Sequence, residues 1–129
     1  MAYNIIGKNF TPPDVRAKIT GKAKYAEDFT ADGMVYVKML LSPMPNANVT
    51  NIDASEALAM DGVIDILTAE DVPPPPPPGN PMLTNNPKYV GQPILAIAAE
   101  TESIAADALD KIKLEYEVLP FTIDPLVSL

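Results

Sequence analysis

The residue types that carry most protein chemistry are missing or scattered in this chain. Its 129 residues contain no histidine and no cysteine. That removes the usual general base near neutral pH, the thiol nucleophile, any disulfide, and the commonest ligands for transition metals and iron–sulfur clusters. Gly21-Lys22 has the ending of a phosphate-binding loop, but Arg16 stands where its first glycine belongs and Ala23 where its Mg²⁺-binding hydroxyl belongs. Acids gather at Asp61, Asp65, Glu70 and Asp71. Such carboxylates bind Ca²⁺ or Mg²⁺ when suitably spaced, yet no EF-hand spacing is present, and a cap, a strand edge and a turn account for them as well. A hydrolase built on two carboxylates would need a pocket joining two of these acids, and the sequence singles out no pair. Asn48-Val49-Thr50 is a formal glycosylation sequon. Tyr25, Asp28, Gly91 and Gln92 lie beside turn glycines at strand edges, where a backbone approaches another surface closely.

The totals narrow the classes further. Composition is that of an ordinary soluble protein, 47% apolar and 20% charged. The formal charge of −8 and a pI near 4.3 argue against a nucleic-acid partner, which needs basic patches. No apolar run approaches the roughly 20 residues that span a bilayer, and the N-terminus lacks the basic-then-apolar pattern of a secretory signal.

Such residues need elements to hold them, and the clearest lie between Tyr89 and Pro120. Ile94 to Ala99 has no polar residue, which predicts a short strand covered on both faces. Thr101 is placed to cap a helix, with Ile104, Ala105, Ala108, Leu109 and Ile112 forming its apolar stripe. From Ile112 the period becomes two: Ile112, Leu114, Tyr116 and Val118 face one way and Lys113, Glu115 and Glu117 the other. This predicts a strand ended by Leu119-Pro120 and paired near Ile94–Ala99.

Earlier in the chain, residues 1–14 read as an extended arm ending in Thr11-Pro12-Pro13-Asp14. Thr20-Gly21 and Asp32-Gly33 are turn signals, and Met34 to Leu41 reads as a central strand. Ser42-Pro43 breaks it, with a short return strand over Val49 to Ile52. Asp53 and Glu56 have the spacing of a capping box for a helix ended by Gly62, followed by a strand over Val63 to Leu67. Residues 73–88 form a proline-rich loop that opens with Pro73 to Pro78, partly polyproline II. The end of the chain, residues 127–129, is apolar and uncharged and reads as continuing into further polypeptide.

Eight motifs in order then resemble one family. Lys18 to Phe29, KITGKAKYAEDF, is similar to the T-G-x-A-x-Y-x-x-D signature that opens the molybdenum-cofactor subunit of the xanthine dehydrogenase/aldehyde oxidase family. Ser42-Pro43, Ile52-Asp53, Gly62-Val63 and Leu67 to Pro73 follow in family order. Tyr89-Val90-Gly91-Gln92-Pro93, Ala106-Asp107-Ala108 and Glu115 to Pro120 complete the match. The resemblance implies an α+β fold, the α/β-hammerhead, over residues 15–126: a small, bent, mixed sheet with two main helices packed on it. It implies no catalytic, cofactor-binding or metal-binding residue on this chain, because the molybdopterin and the catalytic glutamate come from later domains.

The parent enzyme is expected to be an oxidoreductase that oxidises aldehydes or N-heterocycles. It would use molybdopterin-bound Mo, with 2Fe-2S clusters and FAD on partner domains or subunits. The expected partners are the remaining Mo-cofactor domains and the iron–sulfur and flavin subunits, with no nucleic acid and no membrane span. The expected location is cytoplasmic, or periplasmic if a partner subunit carries an export signal. Thr20, Gly21, Tyr25, Asp28, Ser42, Pro43, Gly91, Gln92 and Pro93 are the structural or domain-interface candidates. Where the family reads S-P-H-A-H-A-R-I, this chain has Ser42 to Val49 without either histidine or the arginine. The rival reading is an independent protein-binding module that recruits a partner through the Pro73–Pro78 loop.

Overall fold

The structure, a computed structural model, describes residues 5–73, 79–124 and 126–127. The chain divides into two compact units, Met1–Met34 and Val35–Leu129. The expected polyproline segment at Pro74–Pro78, the first four residues of the arm and the last two of the chain lie outside the described residues.

The first unit is built from local hydrogen bonds. A turn closes between Ile5 and Lys8 (3.1 Å), and a second links Pro12 to Val15 (3.2 Å). The second leads into a short helix, α1 (Val15–Ile19), that the residue pattern does not signal. The Thr20 hydroxyl donates to Arg16 O at 2.6 Å, and Lys22 and Ala23 N–H both donate to Ala17 O, which ends the helix. Asp14 and Lys18 pair one turn apart at 2.6 Å. Ala26–Asp28 forms a 3₁₀ turn fastened in both directions. Asp28 N–H donates to Tyr25 O (3.0 Å), and Tyr25 N–H donates to the Asp28 carboxylate (2.8 Å).

The second unit holds the core. Its elements are β1 (Tyr36–Leu41), β2 (Ala47–Asp53), α2 (Ser55–Leu58), β3 (Val63–Leu67), β4 (Pro93–Ala99), α3 (Glu102–Leu109) and β5 (Lys113–Val118). One sheet has the order β1-β4-β3 and the other pairs β2 with β5, every pairing antiparallel. Helices and antiparallel sheets together give the α+β class expected. The helices pack on one face of the three-stranded sheet, where Ile97 and Ala99 meet Ala57, Ala105 and Ala108. Ile97 is fully buried, a burial that stabilises by about 1.5–3 kcal/mol for a side chain of this size. Small alanines on the helix side let α3 approach β4 closely.

Thr101 caps α3 as its position implies, its hydroxyl accepting from Ile104 N–H at 3.2 Å. The other expected cap is different. Asp53 accepts from the Ser55 N–H (3.1 Å) and hydroxyl (2.6 Å), Ala54 takes the N-cap position, and α2 is four residues long. Glu56 does not reach back to close a capping box. Lys113, directly opposite Asp53 across the β2–β5 ladder, pairs with the Glu56 carboxylate instead.

Two bulges explain why strict alternation fails in β2 and β3. Register shifts between Val49 and Asn51, so that Thr50 is the extra residue, its hydroxyl donating to Glu115 O at 3.1 Å. Val49 and Ile52, three apart, therefore oppose Tyr116 and Leu114 on the same face. Likewise Ile64 is extra in β3, which sends Val63 and Ile66 together into the core and leaves Ile64 exposed.

Two further expectations are corrected. The β5 strand does not pair near β4: both edges of β4 are taken by β1 and β3, and β5 joins β2 in the second sheet. Nor, among the described residues, does a folded layer cover β4 on both faces, although every β4 residue except Pro93 and Ala98 is itself buried. The helices cover one. Opposite them, Val37, Met39 and Leu41 of β1 and Leu67 of β3 each remain close to half exposed. Register places Val37 and Asp65 beside Ala98, and Met39 and Leu67 beside Ala96, so these residues share one open, apolar face.

Candidate functional site

Ser42, Pro43, Gly91, Gln92 and Pro93, all singled out by sequence, meet at one end of β1 and β4. Ser42 and Gln92 are 3% and 7% exposed, the two buried polar side chains of the described core. Ser42 N–H donates to Gln92 O (2.9 Å), and Gly91 N–H donates to Ser42 O (2.8 Å), which closes a ring between the two loops. Gly91 sits at φ +92°, a backbone region that favours glycine, and this allows the ring to form. The Ser42 hydroxyl accepts from Met44 N–H (3.1 Å) and donates to Met44 O (2.9 Å). Gln92 Oε1 accepts from Lys88 N–H at 2.7 Å, so the amide that looked like a contact group is engaged in folding the Lys88–Gln92 turn. Pro93 O accepts from Thr84 N–H (3.1 Å), and Pro43 is exposed beside Ser42.

This frame continues through residues that sequence reasoning missed. The Asn46 amide donates to Pro120 O at 2.7 Å and its carbonyl accepts from Lys88 Nζ at 3.2 Å, while Leu119 N–H donates to Asn46 O at 3.0 Å. One neutral side chain thus ties the β1–β2 turn to the end of β5 and to the Lys88 loop. Asn46 stands where the family pattern has its second histidine, and that departure was the available signal. The outcome is a rigid pair of loops presenting Tyr89 and Val90, both well exposed, at the same end as the exposed Leu41. Thr20, Gly21, Tyr25 and Asp28 belong to the first unit. There Thr20 and Gly21 end α1, and Tyr25 and Asp28 fasten the 3₁₀ turn, with Tyr25 exposed.

The carboxylates are arranged for hydrogen bonding. Asp71 accepts from the N–H and hydroxyl of Thr68, both at 2.8 Å, which holds its pKa below the ordinary aspartate value. Asp53 is lowered by the Ser55 hydroxyl and N–H, Glu56 by Lys113, and Glu102 by Lys38 at 2.9 Å. An acid catalyst needs the opposite shift, a proton retained near neutrality. Among the described residues no group of three or more Asp or Glu could hold a metal ion. A hollow of about 230 Å³ lies between β2 and the Thr68–Glu70 turn, lined also by Asn85, whose buried Oδ1 has no hydrogen-bond partner. Its polar groups are hydroxyls, side-chain amides and one carboxylate, with no basic side chain. A phosphate-bearing pterin would not find its charge matched there. Among the described residues no helix is long and apolar enough to cross a membrane.

The family model described as "Aldehyde oxidase and xanthine dehydrogenase, a/b hammerhead domain" matches residues 20–120. The chain belongs to this family. Within it, the hammerhead chain is 41% identical over 113 residues to a probable xanthine dehydrogenase subunit of Bacillus subtilis, covering 83% of this chain and 15% of that protein. It is 33% identical over 123 residues to the nicotinate dehydrogenase large molybdopterin subunit of Eubacterium barkeri, covering 91% and 29%. Among solved structures, the reconstituted CO dehydrogenase from Oligotropha carboxidovorans superposes with a TM-score of 0.83 at 27% identity, covering 93% of this chain and 16% of that one. The hammerhead chain therefore spans between about a seventh and a third of the length of these relatives.

Proposed function

We propose that this chain is the structural and interface domain of a molybdenum hydroxylase of the xanthine dehydrogenase/aldehyde oxidase type. In this reading residues 15–126 form the functional domain. It packs against the molybdopterin-bearing domains of the large subunit, with an iron–sulfur subunit as a further neighbour, and does no catalysis alone. The carrying observation is the open face of the three-stranded sheet. Val37, Met39, Leu41 and Leu67 stand half exposed around Ala96, while β4 itself reads as a strand covered on both sides. Contiguous apolar surface of this kind marks an interaction site. The loop pair held by Ser42, Gln92 and Asn46 extends that surface through Leu41 to Tyr89 and Val90, and its internal hydrogen bonds preorganise it at little further entropic cost. Membership of the family supports the parent chemistry. When bound to the parent enzyme, molybdopterin-held Mo supplies the redox centre; no residue described here is assigned to it.

The test is gel filtration of this chain alone and of the assembled enzyme, each followed by metal analysis. Molybdenum should elute with the assembly and be absent from the separated chain. Stoichiometric molybdenum on the separated chain would overturn the proposal.

A further inference from the structure

The open face has a shape as well as a polarity. Alanines 96 and 98 floor a shallow groove of about 120 Å³, walled by Val37 on one side and by Asp65 and Leu67 on the other. Its width is set by two strand spacings, about 10 Å, and the apolar face it lies on runs the five residues from Val37 to Leu41, about 17 Å. A facing β-sheet packs best on a level surface, whereas a low central strand between higher outer strands matches the convex side of an α-helix, itself about 10 Å across. At 1.5 Å per residue, 17 Å corresponds to about 11 residues, or three turns.

The area excludes a self-sufficient partner. A footprint of roughly 170 Å² is about a fifth of the 800 Å² that each side of a stable complex usually buries, so the groove by itself would not hold a partner. The occupant has to be brought by a larger contact. Asp65 gives its charge: it is the acid on this face, which has no Lys or Arg among its described residues, and its carboxylate bonds only its neighbour's N–H, Ile66, at 2.8 Å. A partner with a basic side chain over Asp65 would complete the site.

We propose that this groove seats one amphipathic helix of about three turns from the remaining large-subunit polypeptide, with an apolar stripe on Ala96 and Ala98 and a Lys or Arg opposite Asp65. The proposal rests on the interface reading above and names its partner.

The test uses the assembled enzyme, isolated through a tag on this chain, with Met39→p-benzoylphenylalanine as photo-cross-linker, or Val37→p-benzoylphenylalanine if the first variant does not assemble. The expected product joins this chain to one large-subunit segment whose apolar residues recur every three or four positions. Asp65→Lys should lower its yield about tenfold, the loss expected for one partly desolvated charge pair, and reversing the partner's basic residue to Glu should restore it. Ala98→Leu, which fills the groove from its open side, should abolish the cross-link while leaving the melting temperature of the isolated chain unchanged. A cross-link to a strand, a loop or another subunit, or an unchanged yield in Asp65→Lys and Ala98→Leu, overturns the helix while the interface reading stands. Recovery of assembled enzyme with no cross-link at either position, or with one confined to this chain, overturns both.

Discussion

Gly62 links the end of α2 to β3, and replacing it tests the packing of the core from an unusual direction. Its φ is +84°, and a Cβ added there would lie 2.7 Å from Ile104 Cδ1 and 3.7 Å from Glu100 Oε2. Gly62 O also accepts from Glu100 N–H at 2.9 Å, so the backbone cannot swing away without losing a bond to the β4–α3 connection. Gly62→Ala therefore carries two costs: about 1–2 kcal/mol for a left-handed alanine and about 0.5–1.5 kcal/mol for forcing Ile104 from its rotamer. The sum is roughly 1.5–3.5 kcal/mol. Gly91 is the control, because it has φ +92° and nothing within 4 Å of the added Cβ. Gly91→Ala should carry the backbone cost alone. Urea unfolding followed by far-UV circular dichroism reads both, with the m-value expected to stay constant. Ile104→Val, which removes the clashing Cδ1, should close the gap between the two glycine variants in a double-mutant cycle. Equal destabilisation by Gly62→Ala and Gly91→Ala, or a gap that persists with Val at 104, would refute the packing drawn around Ile104.

Other outcomes follow from single contacts. Thr101→Ala should destabilise by about 1 kcal/mol in the same urea assay through loss of the α3 cap, while Thr101→Ser should stay near wild type. Gln92→Leu should cost about 1–3 kcal/mol, because it leaves the Lys88 N–H without its acceptor, and should make the Lys88–Gly91 turn the first site of limited proteolysis. Asp71 titrates below an ordinary aspartate, since Thr68 stabilises the ionised form. A group with a depressed folded pKa stabilises above its unfolded value and loses that contribution as pH falls through the folded one, so this contribution should fade from about pH 3.9 downward. Carboxyl NMR should show the low midpoint for Asp71, and Thr68→Val should raise it part of the way, as the N–H bond survives.

Local chemistry was legible in the sequence, and distant chemistry was not. The Thr101 cap, the left-handed Gly62 and the strand at β4 each depend on residues within one turn or one strand, and each stands as read. Failures came where one interaction competed with another. Glu56 had the spacing of a capping-box partner, but Lys113, 57 residues later, takes it. Bulges at Thr50 and Ile64 shift the face of every residue after them, and period counting assumes none. Asn46 looked like a gap in a family motif; its meaning lies in Pro120, 74 residues away. The open face was misread for a related reason. The run from Ile94 to Ala99 has the composition of a doubly covered strand, and among the described residues only one layer, the helices, is folded onto it.

Met39, close to the middle of that face, offers the most direct measurement of whether the chain works as an interface domain. Hydroxyl-radical footprinting compares its conversion to the sulfoxide in the isolated chain and in the assembled enzyme. The side chain is 45% exposed on the isolated chain, so oxidation there should be fast. Assembly should suppress it strongly. Equal oxidation of Met39 in both states would contradict the assignment of the open sheet face as the docking surface.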